Sequence, residues 1–167
     1  TNGSMRSKNN KNFIIDYPEY FTASSVYFHL TRKDRFSKKL FNHITPAGKM
    51  IPITIYSKYS WYLSRAEKTT KSVLDELETK LGTWPHSGLV AYIAGSGGME
   101  YSGATITSNS ALGHEITHSY FARGVMPQNG NSGWIDEAIA SWRDNGYQSH
   151  STPRFASTNM SGHSEYR

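Results

Sequence analysis

The chain contains no cysteine. That excludes a disulfide scaffold, a thiol nucleophile and any thiolate metal site, and it leaves the compartment open. Long apolar runs are also missing. The longest are only a few residues, too short for a membrane span. No apolar core of a secretory signal stands at the N-terminus, although residue 1 need not be the natural start. No internal repeat is present. Ser110 and Ser132 lie in no nucleophile-elbow context. The glycine-rich stretch Gly95–Gly98 is not followed by a helix carrying Lys-Ser/Thr, so it is no phosphate loop.

What is present is enough for a folded domain. At 37% hydrophobic and 13% aromatic residues the chain is too apolar to be disordered. Its 167 residues suit one domain of ordinary size. The formal charge of +5 is uneven. Residues 1–81 carry 14 Lys/Arg against 7 Asp/Glu, and residues 82–167 carry 4 against 6. The basic excess therefore belongs to one half, which argues against reading the whole chain as a nucleic-acid binder.

Residues 1–12 are polar and without periodicity, and are expected as a disordered tail or cloning remnant ahead of a domain over 13–167. The aromatic and β-branched residues of 13–30 suit strands, and the basic stretch Arg32–Lys39 suits a turn or short helix. Ile51, Ile53 and Ile55 alternate, which predicts a strand over 50–57. Pro52 places that strand at an edge or itself near the strand's start. Ser64 and Glu67 read as a capping box. Ala66, Thr70, Val73, Leu77 and Leu81 follow helical spacing up to a stop at Gly82. Strands are expected over 88–94 and 103–107, with helices over 110–123 and from Trp134 to Asn145. A polar loop, Met126–Gly133, separates the two helices.

The chemistry concentrates in the acidic half. His114-Glu115-Ile116-Thr117-His118 is an HExxH motif on a predicted helix. Its i, i+4 spacing puts both imidazoles on one face, where two neutral nitrogens can grip one zinc ion. Glu115 sits beside them as a candidate general base for a metal-acidified water. Eighteen residues separate His118 from Glu137, which opens the next predicted helix and can complete a His₂Glu site. The isolated His29, His43, His86, His150 and His163 read as surface or structural residues. The aromatic run Tyr56–Tyr62 reads as packing.

His114, Glu115, His118 and Glu137, the last within Trp134-Ile135-Asp136-Glu137-Ala138, resemble the gluzincin metallopeptidases of the aminopeptidase N and leukotriene A4 hydrolase type. Gly97-Gly98-Met99-Glu100-Tyr101 resembles that family's G-x-M-E-N exopeptidase motif, in the Met-Glu-Tyr form found among bacterial relatives. Leu81-Gly82-Thr83-Trp84-Pro85 resembles its F-G-x-Y-P turn. The resemblance runs from about Ile51 to Trp142. It implies an α+β fold with a thermolysin-like zincin core, a small mixed sheet over the HExxH helix and the glutamate-bearing helix. It implies Zn²⁺ held by His114, His118 and Glu137, with Glu115 activating water. Gly97, Gly98 and Met99 would present backbone groups to an extended peptide, and Glu100 would pair with a free α-amino group. The expected activity is aminopeptidase-type hydrolysis of peptide or protein substrates. The alternatives are a zinc endopeptidase with the same site, and a non-catalytic zinc-stabilised interaction module. No nucleic acid is expected as partner. The family's transition-state tyrosine lies well downstream of the third ligand. Only Tyr147 and Tyr166 remain there, which implies an excised or unusually compact catalytic domain of a longer parent chain. The sequons at Asn2 and Asn159 do not decide the compartment.

Overall fold

A computed structural model describes residues 1–7, 9, 11–125 and 134–148. Five strands form a mixed sheet: β3 (Ser37–Ile44), β4 (Met50–Ser57), β5 (Leu89–Ile93), β6 (Gly98–Tyr101) and β7 (Ala104–Thr107), ordered β3-β4-β5-β7-β6. The β4/β5 and β5/β7 pairs are parallel, and β3/β4 and β6/β7 are antiparallel. Helix α1 (Trp61–Leu81) makes the crossover between β4 and β5. Two further helices follow, α2 (Leu112–Thr117) and α3 (Trp134–Asp144). Segregated helices over a mixed sheet agree with the expected α+β class. Among the described residues no helix is long and apolar enough to cross a membrane.

One core holds the layers together. The alternating Ile51, Ile53 and Ile55 of β4 are fully buried beside Leu89, Ala91 and Ile93 of β5. Opposite them pack Leu63, Ala66, Val73, Leu74 and Leu77 of α1, with Leu112 and Ile116 of α2. Leu112 and Ile116 thereby anchor α2 to the same core as α1 and the sheet. In the last turn of α1 the buried Glu78 takes a hydrogen bond from the Trp84 N–H at 2.9 Å and pairs with His43 Nε2 at 2.6 Å. His86 Nε2 bonds the Ser119 carbonyl at 2.9 Å. His43 and His86 are structural, as expected, and His29 stacks on Tyr92. His150 and His163 lie outside the described residues.

Several boundaries differ from the sequence reading. Within the stretch 1–12, expected as a tail, four residues are in a strand. Ser4–Ser7 form β1, antiparallel to β2 (Phe13–Asp16), and Arg6 pairs with Asp16. Helix α1 begins at Trp61, so Ser64 lies inside it and makes no capping box. Glu67 instead accepts from Lys71 at 2.7 Å and pairs with Lys39 at 3.0 Å. Stacking of Tyr59 on Trp61, centroids 4.6 Å apart, packs the earlier start. Strand β3 occupies the end of the basic stretch. Consequently β4 is internal, and Pro52 is tolerated because its ladder with β5 begins only at Ile53. Helix α2 stops far short of residue 123. The Arg123 N–H caps the His118 carbonyl, and Ala122 takes a positive φ of 93° as the chain turns away. Residues 126–133, expected as the connecting loop, lie outside the described residues.

Candidate metal centre

Helix α2 places His114 and His118 one turn apart, with ring centroids 4.8 Å from each other. Helix α3 brings Glu137 across to them. Its Oε2 lies 3.2 Å from His114 Nε2 and 3.7 Å from His118 Nε2. One ligand atom from each residue falls within 4.8 Å of the other two. A tetrahedral zinc with bonds near 2 Å separates its ligand atoms by about 3.3 Å, so two nitrogens and an oxygen spaced this way fit the ion. The three residues brought together are the two histidines and the glutamate singled out from the sequence.

Carboxylates stand behind the imidazoles. His114 Nδ1 bonds Asp144 Oδ2 at 2.7 Å, which directs its Nε2 toward Glu137. Burial lowers the His114 pKa, but the Asp144 and Glu137 carboxylates outweigh it and the net shift is upward. Behind His118 the arrangement is looser. Its Nδ1 is 3.6 Å from Asp136 Oδ2, beyond hydrogen-bond reach, and both that Nδ1 and Asp136 Oδ1 are buried without a partner. Burial holds the Asp136 carboxyl above its ordinary range.

Glu115 is 6% exposed, and its Oε2 is buried with no hydrogen-bond partner among the described residues. Burial first, then the nearby Glu100 charge, pushes its pKa up to about 7. That suits a group which must both take and return a proton near neutrality. Strand β6 lies directly beside it. A Cβ at Gly98 would overlap the Glu115 carboxylate, so glycine there leaves room for that side chain.

The other substrate-binding candidates line that strand. Gly97 sits in the preceding turn with φ of 71°, and Gly98, Met99 and Glu100 belong to β6 itself. This strand is the sheet's edge, and Met99 is exposed on it. Glu100 is not free. Its Oε1 accepts from Arg123 at 3.0 Å.

Two arginines important to the site escape motif reading. Arg123 holds Glu100, and Arg143 holds Glu76 and Asp144. The sparse base count of this half is the one signal that points to them. Tyr147, to which the sequence assigned no role, donates its hydroxyl to Glu76 at 2.5 Å. Tyr166 lies outside the described residues.

No family profile matches this sequence, and no curated protein matches it. Solved structures do. The aminopeptidase A of Legionella pneumophila, in complex with aspartic acid, is similar with a TM-score of 0.58 at 14% identity, over 65% of this chain and 16% of that one. A two-domain M1 zinc metallopeptidase bound to L-arginine gives 0.53 at 13%, over 68% of this chain and 30% of that one. The M1 zinc metallopeptidase of Deinococcus radiodurans gives 0.52 at 14%, covering 68% and 29%. The likeness is one of fold. This chain spans less than a third of the length of these proteins.

Proposed function

We propose that the chain carries a zinc-dependent peptide-bond hydrolysing site on a thermolysin-like core. The observation that carries this reading is the convergence of His114, His118 and Glu137 beside a buried, unpartnered glutamate. His114, His118 and Glu137 would hold Zn²⁺, which when bound supplies Lewis-acid polarisation of a carbonyl and acidifies water. Glu115 takes a proton from the attacking water at its carboxylate and returns it to the leaving amine. The edge of β6, unpaired among the described residues, would pair with an extended peptide through backbone hydrogen bonds and lay it past Glu115. Asp144 orients His114 throughout. The choice between removing N-terminal residues and cleaving internal bonds falls to Glu100, the carboxylate that would meet a substrate ammonium.

Metal analysis should find one zinc per chain, and hydrolysis of a quenched peptide panel should stop on chelation. Glu115→Gln should keep the zinc and lose roughly 100- to 10,000-fold in rate. Undiminished hydrolysis in that variant would overturn the mechanism. Bound zinc with no hydrolysis by the parent protein would instead favour the zinc-stabilised interaction module.

A further inference from the structure

Side chains alternate along a strand, so Gly98 and Glu100 face the same side of β6. The Gly98 position abuts Glu115. Glu100 therefore stands two residues, about 6.6 Å, further along the same face. A peptide cleaved after its first residue would bring its ammonium to this neighbourhood. The anion there already has a partner within the chain. Arg123 Nη2 donates to Glu100 Oε1 at 3.0 Å, and Nη1 donates to Ser24 Oγ at 3.0 Å. The two side chains are only 12% and 17% exposed. Arg123 is delivered from a fixed place, since its N–H caps the His118 carbonyl at 3.1 Å and the next turn closes through Ala122 N–H to Val125 O at 2.9 Å. An incoming ammonium would have to shed its water and displace this guanidinium, leaving a mostly buried cation unpaired.

We propose that Arg123 sets the substrate class: by holding Glu100 it removes the anion that would select a free α-amino group. The site then engages peptides through their backbone alone, internal segments and N-blocked chains included. The inference rests on the peptide-hydrolysis reading above.

The test uses the full zinc-loaded chain and one quenched peptide made with a free or an acetylated N-terminus. Hydrolysis is read as the ratio of kcat/KM values, and binding by calorimetry in the Glu115→Gln background. The parent protein should give ratios within about threefold of one. Arg123→Gln should shift both ratios toward the free peptide by about tenfold or more, because a charge-assisted bond to Glu100 becomes available. Arg123→Lys, which keeps the neutralising charge, should stay near the parent ratio. Should Arg123→Gln fail to fold, Glu100→Gln decides. It should leave the ratio unchanged, and a loss confined to the free peptide would overturn the inference. A parent preference of about tenfold or more for the free peptide would also overturn it while leaving peptide hydrolysis standing. Absence of both binding and hydrolysis for either peptide would remove the hydrolysis reading and this inference with it.

Discussion

The tautomer of His114 depends on a residue that no motif contains. Asp144 accepts from His114 Nδ1 at 2.7 Å and so leaves Nε2 as the nitrogen that faces Glu137. Asp144→Asn should weaken zinc binding by about 10- to 100-fold, measured by competition with a chromogenic chelator. Unchanged affinity would show that His114 needs no such partner. Glu137, Ala140 and Asp144 follow helical spacing, which puts both carboxylates and a buried alanine on one face of α3. The meeting of His114, His118 and Glu137 was legible from spacing, because i, i+4 puts two histidines on one helix face and a short connection brings in the next helix. Asp144 was not. Its role depends on how α3 crosses α2, and nothing local in the sequence encodes that crossing.

At the scale of elements, the position of α3 governs the site, since α3 carries Glu137 and Asp144. Glu76 of α1 holds it through Arg143, with bonds of 3.1 and 2.7 Å, and through the Tyr147 hydroxyl. Gly113 leaves room for this link, because a Cβ there would come 2.6 Å from Arg143 Nη1. Gly113→Ala should therefore displace Arg143 and lower both thermal stability and zinc affinity, readable by calorimetry and chelator competition. Glu76→Gln should cost about 1–3 kcal/mol at neutral pH in denaturant unfolding. Burial raises the Glu76 pKa, but Arg143 and Tyr147 outweigh it and leave it below the ordinary value of 4.5. The stabilisation is thus complete above that value and is lost as pH falls through the lowered one. The deficit of Glu76→Gln should shrink below about pH 4, and a deficit that stayed constant there would rule out the ionised pair as its source. The apolar period of α1 announced the helix but not its start. Tyr59 stacks on Trp61 at that start, and stacking leaves no periodic trace.

On the scale of the whole molecule, the N-terminal segment is tied to the loop around Ser25 and to the end of β6. Asn2 Nδ2 donates to the Ser25 and Ser102 carbonyls, both at 2.8 Å, and Oδ1 accepts the Tyr27 N–H at 2.8 Å. These bonds use both amide hydrogens, so the sequon at Asn2 is engaged within the fold. A polar run without periodicity gave no hint of this, since one asparagine reaching three backbone groups is specified by tertiary position. The clamp fastens the loop around Ser25 to the end of β6, and the neighbouring Ser24 hydroxyl meets Arg123, which holds Glu100. The basic half of the chain thereby supports a site built in the acidic half. Asn2→Ala removes three bonds at one half-buried residue. It should cost about 1–3 kcal/mol, lowering the melting temperature by roughly 3–10 °C. Because Ser24 would lose its backing, the free-to-acetylated peptide ratio should also move toward the free form, though less than in Arg123→Gln. A lowered melting temperature with an unmoved ratio would mean that the clamp stabilises the fold without reaching Arg123. An unchanged melting temperature would mean that the first residues lie on the domain without holding it.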